Sequence, residues 1–186
     1  ELELNLEEVM LANAIDYTPL TFEEPFQVIS AYEKGECQAW TTDKSTLLAE
    51  RLKLQQPADH AVLAATISKE PLGPIVRQDD RQWFDIVRWV VFATFIAEEY
   101  GLTSVNVEQE FVENQDPKIL RFLGYISEDV EAFGLEARAF FNVIKQVGNY
   151  AEIYERNFGE ATATYLPRGL NASYKDGGLL YAPPLR

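Results

Sequence analysis

Residues 168–186 read RGLNASYKDGGLLYAPPLR, and this stretch limits which folds the chain can adopt. The adjacent glycines Gly177 and Gly178 and the adjacent prolines Pro183 and Pro184 would each interrupt an α-helical hydrogen-bond ladder. The aromatic and amide side chains between them can fix turns. The stretch therefore predicts an ordered, non-helical strap that lies over a folded domain and carries no catalytic constellation.

The composition and charge of the chain exclude some classes of binding partner. The 186 residues are 47% hydrophobic and 25% charged, which is typical of one globular domain or parts of two. A formal net charge of −14 repels nucleic-acid phosphates and anionic lipid heads, so we expect neither nucleic acid nor a membrane surface as a partner. The longest apolar run, around Trp89, is roughly half the ~20 residues of a membrane span and predicts a buried helix.

The chain has one cysteine, Cys37, and one histidine, His60. This inventory cannot supply a Cys/His metal cluster or a convincing Ser-His-Asp triad, so we predict no catalytic residues, no metal site and no cofactor. Two alternatives stay open for Cys37. It is either a buried free thiol or a half-cystine whose partner lies upstream of Glu1.

The hydrophobic pattern of the first 68 residues predicts alternating helices and strands. Helical spacing predicts helices over 1–14, 24–34 and 43–54. Short apolar or β-branched runs between and after them predict strands, at 17–22, 37–41 and 60–67. This α-β-α-β-α-β order predicts an α/β fold, in which a sheet is connected by crossover helices.

The alternation of predicted helices and strands ends at residues 68–74, SKEPLGP. Two prolines and a glycine in this stretch predict a turn or an interdomain crossing. A short strand at 75–77 follows, and a long helix capped by Asp79 or Asp80 then extends to Tyr100. The rest of the chain is mostly helical. Further helices are predicted from the Asp116-Pro117 pair, over 136–147 and over 148–159.

Asp43 is the strongest candidate for a ligand-binding residue in this sequence. It follows Thr41 and Thr42 at the carboxyl end of a predicted strand and opens a helix, and open α/β sheets bind ligands outside the carboxyl ends of strands. A carboxylate there can pair with an ammonium group. The alternative is that Asp43 only caps its helix, which is a common role of aspartate.

Four segments in order resemble one bacterial family, the general L-amino-acid-binding proteins of ABC importers, in solute-binding protein family 3. The segments are ISKEPLGPIVR at 67–77, QWFDIVRW at 82–89, KQVGNYAEIYERNFG at 145–159, and RGLN with GGLLYAPP within 168–184. The resemblance covers nearly the whole chain. The stretch 105–140 is the part that matches least.

The resemblance implies the type 2 periplasmic-binding fold, with two α/β lobes that close over an amino acid. Residues 1–68 would form the second, ammonium-binding lobe, incomplete at its amino end, and 69–74 the hinge crossing. Residues 75–186 would form the returning, mostly helical part of the first lobe, ending in the strap. Because the preceding strands would be absent, the sheet edges would be exposed, and we expect the fragment to self-associate through them.

The family pattern also implies roles for TTDKS at 41–45. Asp43 would bind the α-ammonium of the ligand, Thr42 would add a neighbouring polar contact, and Thr41 would contribute a hydroxyl beside them. The arginine that clamps the ligand carboxylate in the family belongs to a segment outside this chain. The implied partners are a free L-amino acid and the membrane permease subunits, and the implied location is the periplasm.

Two functions from other classes remain as alternatives. The same fold serves as an enzyme in some proteins, such as a dehydratase of cyclic acids, although this chain offers no convincing acid/base pair. The chain could also belong to a sensor or interaction module that binds no ligand. A turnover assay tests the first alternative, and a thermal-shift screen with amino acids tests the second.

Overall fold

The computed structural model describes residues 2–125, 128–131 and 133–185. The chain divides into two compact units, Glu1–Leu72 and Gly73–Arg186. The boundary falls inside the stretch 69–74 that the sequence predicts as a crossing. The assignment of the two parts to lobes stays a prediction.

Unit 1, Glu1–Leu72, contains three α-helices and a 3-10 turn within its described residues. Helix α1 spans Leu2–Ala12, α2 spans Pro25–Glu33 and α3 spans Lys44–Arg51, and the 3-10 turn covers Pro57–Asp59. The three predicted helices are thus confirmed with shorter bounds, and Glu1, the predicted start of the first, lies outside the described residues. Few apolar side chains are fully buried here; they are Ala31, Leu48 and Leu54.

Unit 2, Gly73–Arg186, is built around the 19-residue helix α4, Arg81–Glu99. Its start is fixed by Asp80, whose carboxylate accepts a hydrogen bond from the Trp83 backbone N–H at 2.9 Å. The helices that follow are α5 Val107–Glu113, α6 Pro117–Phe122, α7 Glu128–Glu131, α8 Ala139–Val147 and α9 Tyr150–Phe158. The predicted helices of this half are therefore confirmed, and α5, α6 and α7 occupy the stretch 105–140 that the family resemblance left undefined.

The core of unit 2 lies where α4 packs against α8 and α9, and α5 against α8. Small residues on α4, Ala93 and Ala97, are fully buried and let the neighbouring helices approach closely. The other fully or nearly fully buried side chains of this core are apolar: Ile96, Leu102, Val107, Phe122, Leu123, Val130, Phe140, Ile144 and Ala182. The amino-terminal turns of α4 are different, since Trp83 and Phe84 are about half exposed.

Residues 168–185 form the predicted strap. It contains two 3-10 turns, Gly169–Asn171 and Tyr174–Asp176, and an isolated parallel bridge between Ser173 and Leu180. No α-helix occurs in it, as the glycine and proline pairs predict. Ala182 is buried in the core, so the strap takes part in the packing of unit 2.

The α/β prediction is wrong for the residues that the structure describes. They form helices, turns and extended segments, and the isolated Ser173–Leu180 bridge is the β-pairing that they contain. The predicted strands at 17–22, 37–41, 60–67 and 75–77 are non-helical, but they make no ladder hydrogen bonds with one another. β-structure requires a partner strand in register, and strand propensity alone does not supply one.

Candidate functional site

The three predicted site residues lie together at the amino end of α3. Thr41, Thr42 and Asp43 are half-buried, and Asp43 occupies the N-cap position with an extended backbone, φ −56° and ψ 139°. Its carbonyl oxygen accepts the first helical hydrogen bond, from the Leu47 N–H at 2.9 Å. Leu48, five residues after Asp43, is the buried side chain of this helix.

The Asp43 carboxylate does not perform the usual task of an N-cap side chain. It accepts no hydrogen bond from the first turn of α3. Among the described residues, no ion pair or side-chain hydrogen bond engages it, and the hydroxyl groups of Thr41 and Thr42 are equally without an acceptor or donor. A capping hydrogen bond therefore does not account for the position of this carboxylate.

The nearest cation along the chain, Lys44, is held elsewhere. Its ammonium group donates hydrogen bonds to the Ala64 carbonyl oxygen at 2.9 Å and to Thr66 Oγ1 at 2.7 Å. These bonds tie the first residue of α3 to the extended segment 60–67. Within the described residues, the Asp43 carboxylate thus has no cationic partner although a lysine follows it directly.

A second set of contacts joins the other end of α3 to the same segment. Arg51 donates from Nη1 to the His60 carbonyl oxygen at 3.4 Å, and the His60 ring meets the Tyr32 hydroxyl, with 2.8 Å between Nδ1 and the oxygen. The Tyr32 and His60 rings are also 5.3 Å apart between centroids. Segment 60–67 is therefore anchored at both ends of α3 through side chains, without backbone pairing.

Cys37 is a half-buried free thiol, just before the proposed site. It is less buried than one of its two sequence interpretations expects, and a partner outside the chain stays untested. In the described ranges, no group of three or more His, Cys, Asp or Glu side chains is arranged to hold a metal ion. No helix within them combines the length and apolar character that crossing a bilayer requires.

Unit 2 contains a half-buried carboxylate, that of Glu152 on α9, which is held by several hydrogen bonds. The carboxylate accepts hydrogen bonds from the Ser104 hydroxyl at 2.5 Å, the Ser104 N–H at 3.0 Å and the Asn149 N–H at 2.8 Å. Burial alone would raise the pKa of Glu152, but these hydrogen bonds outweigh it and hold the pKa below its ordinary value. Three donors of the protein itself thus engage this carboxylate, which gives it a structural role.

The second charged contact of unit 2 fastens the strap. The Arg168 guanidinium binds both carboxylate oxygens of Glu98, at 2.5 and 3.1 Å, and donates to the Asn171 carbonyl oxygen at 2.8 Å. It also lies 5.5 Å from the centre of the Tyr150 ring. Burial raises the pKa of Tyr150, and the Arg168 charge partly opposes that rise.

The sequence locates Asp43 but misses the contacts that define its surroundings. The Lys44 tether spans 20 and 22 residues, and the Arg168–Glu98 pair spans 70. No local pattern marks either, because an isolated Lys or Arg is most often a solvated surface residue. The sequence shows only that Lys44 directly follows the predicted N-cap residue Asp43, which does not indicate where the lysine side chain binds.

Proteins of similar sequence supply the context for this site. The chain is 47% identical over 186 residues to the general L-amino acid-binding periplasmic protein AapJ of Rhizobium johnstonii, and the match covers 99% of the chain and 54% of that protein. It is 43% identical to the putative amino-acid ABC transporter-binding protein YhdW of Escherichia coli K12 and 42% identical to the glutamate/glutamine/aspartate/asparagine-binding protein BztA of Rhodobacter capsulatus. The chain is a homologue of these amino-acid-binding proteins.

A solved structure agrees with this homology. An ABC transporter periplasmic binding protein from Brucella ovis with glutathione bound has 43% sequence identity and a TM-score of 0.91, and the match covers all of this chain and 58% of that one. The sequence resemblance to the family is thereby confirmed. The chain spans only about half the length of the curated relatives that it matches. No family model matches the chain.

Proposed function

We propose that this chain is part of the substrate-binding component of an amino-acid ABC importer. In this role the intact protein captures free L-amino acids, with broad specificity, in the periplasm and delivers them to the permease subunits in the membrane. The support is the homology to named amino-acid-binding proteins together with the state of Asp43. Capture and release make and break no covalent bond, so the proposal requires no acid/base pair.

The observation that carries the proposal is the free Asp43 carboxylate. It is half-buried, uncapped and unpaired among the described residues, and it lies beside the unengaged hydroxyl groups of Thr41 and Thr42. A half-buried carboxylate that no group of the described chain engages is available to accept hydrogen bonds from a cation in solution. We assign it to the α-ammonium of the ligand, with Thr42 and Thr41 as neighbouring polar contacts.

The proposal also assigns roles to the parts of the chain. Residues 1–68 form the lobe that binds the ligand ammonium, 69–74 form the hinge crossing and 75–186 form the returning part of the other lobe. Unit 1 holds Asp43, and this fits the first of these roles. The group that binds the ligand carboxylate is expected outside this chain.

The test is calorimetric titration of the intact protein with glutamate, glutamine, aspartate, asparagine and an aliphatic amino acid. We expect wild-type binding and a loss of about 2 kcal/mol, roughly thirtyfold in affinity, for Asp43→Asn, since this removes one charge-assisted contact. Asp59→Asn is the matched control, because Asp59 is exposed in the 3-10 turn of the same unit. Equal affinities for the two variants would refute the role of Asp43.

A second ligand class has support from one observation. The similar protein from Brucella ovis is described with glutathione bound. The γ-glutamyl residue of glutathione carries a free α-ammonium and α-carboxylate, so it presents the same groups as a free amino acid. Adding glutathione to the titration series separates a carrier of amino acids from a carrier of γ-glutamyl peptides.

Two partner assignments belong to the same proposal. Delivery requires contact with permease subunits, which co-purification from membranes that contain the cognate permease would test. Self-association of the isolated chain is expected through extended segments with unpaired backbone groups, such as 60–67. Light scattering checks this, and a monodisperse monomer would contradict it.

A further inference from the structure

Lys44 has a place in the site that its sequence position does not reveal. It is the first residue of α3 and follows Asp43 directly. Its ammonium group reaches away from that residue, to the Ala64 carbonyl oxygen at 2.9 Å and Thr66 Oγ1 at 2.7 Å. Side chains at consecutive helix positions do not face each other, and this geometry keeps the two charges apart.

The two hydrogen bonds have a mechanical and an electrostatic consequence. They hold the amino end of α3, and with it the backbone of Asp43, against the extended segment 60–67, which has no backbone pairing of its own to fix it. They also occupy the one cation that could otherwise neutralise Asp43 from the adjacent position. An ammonium donates at most three hydrogen bonds, and two are already used.

We infer that Lys44 is a positioning residue for ammonium recognition, which acts by fixing Asp43 and by staying bound to Ala64 and Thr66. The inference rests on the proposed function of Asp43. Lys44 touches no ligand in this scheme. Its contribution passes entirely through the placement of the Asp43 carboxylate.

A positioning role and a purely electrostatic role of Lys44 predict opposite changes in ligand affinity when the lysine is removed, so an affinity measurement distinguishes them. If Lys44 acted only through its charge, its removal would relieve repulsion and strengthen the binding of a cationic ligand group. If Lys44 positions Asp43, its removal weakens binding, because the carboxylate loses its fixed geometry. A merely structural loss would weaken all ligands equally.

The experiment compares an L-amino acid with the α-hydroxy acid in which a hydroxyl replaces the ammonium group. Binding of both is measured by calorimetry to the intact wild-type protein and to Lys44→Gln. We expect Lys44→Gln to bind the amino acid roughly tenfold more weakly, as is typical for a lost hydrogen bond of a charged group, while the hydroxy acid changes little. Lys44→Arg, which keeps the charge and the donors, should recover most of the affinity.

Two controls isolate the tether. Lys53→Gln removes an equal charge from an exposed lysine of unit 1 that pairs with Glu50, and it should leave both affinities unchanged. Thr66→Val removes one acceptor without altering Lys44 and should weaken amino-acid binding in the same direction. This variant also keeps the test available if Lys44→Gln fails to fold.

A double-mutant cycle measures whether Lys44 acts through Asp43. In an Asp43→Asn background, Lys44→Gln should have no further effect on amino-acid affinity, because the group that it positions is no longer charged. An unchanged preference for amino acid over hydroxy acid in Lys44→Gln, with wild-type binding intact, would overturn this inference alone. A wild-type protein that binds no amino acid or glutathione would overturn the proposed function as well.

Discussion

Arg168 and Glu98 form the charged contact on which the strap of unit 2 depends. Their side chains are only 23% and 11% exposed, and the guanidinium engages both carboxylate oxygens. We predict that Arg168→Met destabilises the protein by about 2 kcal/mol, because the Glu98 carboxylate would remain largely buried without a partner. Denaturant unfolding followed by circular dichroism measures the change.

The matched control for Arg168→Met is Arg88→Met. Arg88 pairs with Asp85 at 2.6 Å, but these side chains are 45% and 37% exposed. An exposed pair of this kind contributes about 0.5 kcal/mol or less, so the control variant should unfold near wild type. Similar losses for both variants would mean that burial does not govern the strength of the Arg168 contact.

Glu152 gives unit 2 a defined dependence on pH. Its pKa is lowered from the ordinary value of 4.5, so its stabilising contribution is fully present above that pH and is lost as the pH falls through the lowered value. We predict that Glu152→Gln is less stable than wild type at pH 7 and that the difference shrinks below pH 4.5.

Unfolding curves at several pH values test this prediction, with Glu155→Gln as the control on the same helix. Glu155 is exposed, and no described side-chain contact holds it. A wild-type advantage over Glu152→Gln that stays constant down to acid pH would show that the carboxylate charge is not what Ser104 and Asn149 stabilise.

The sequence predicts a candidate site at Asp43, but it does not indicate the contacts around that residue. Asp43 is predicted because an aspartate after two threonines opens a helix, a pattern that by itself favours capping and that the family resemblance turns towards ligand binding. The choice between them depends on whether the carboxylate turns back onto its own helix, which is a matter of side-chain orientation. The tether of Lys44 to residues 64–66 depends on contacts across a loop and is invisible to local patterns.

At the scale of elements, the glycines that end helices differ in how tightly they are enclosed. Gly124, after α6, has φ +93°, and a Cβ there would clash with the Ala137 carbonyl oxygen. Gly101, after α4, has φ +71°, but a Cβ there would meet open space. We predict a loss of about 1 kcal/mol for Gly101→Ala from backbone strain alone, and about 3 kcal/mol for Gly124→Ala from strain and overpacking together.

Thermal unfolding of the two alanine variants measures this difference directly. Both substitutions add one methyl group at a left-handed position, so the strain term is matched and the excess loss reports the clash. Equal shifts in melting temperature would indicate that the chain around Ala137 moves aside at little cost.

Helices were predictable and strands were not, and the reason is physical. A helix closes its hydrogen bonds within one segment, so spacing and caps such as Asp80 and the Asp116-Pro117 pair identify it locally. A strand is completed by another segment. Residues 60–67 have the composition of a strand, yet in the described chain they are held by Lys44 and Arg51 instead.

At the scale of the whole molecule, the chain should be cut most readily where its two units join. Residues 68–76 make no backbone hydrogen bond, and Lys69 and Arg77 are exposed. We predict that brief trypsin treatment cleaves first after Lys69 or Arg77, since proteolysis requires an extended and accessible backbone. Mass spectrometry of the fragments identifies the site.

Replacement of both residues, as Lys69→Gln with Arg77→Gln, should slow this first cut markedly. Lys145 lies in α8 and Arg156 lies in α9. Because helical backbone is protected from proteolysis, cleavage at these two residues should occur later. An initial cut at either of those positions would mean that the helices of unit 2 open more readily than the junction between the units.

The strap has a consequence for the timing of folding. Ala182 belongs to the buried core, and its N–H donates to the carboxylate of Glu99, 83 positions earlier in the sequence. The packing of this core is therefore complete only once residue 182 has been synthesised, and contacts between residues so distant in sequence form slowly. A nascent polypeptide that ends before this residue leaves part of the apolar surface of unit 2 uncovered.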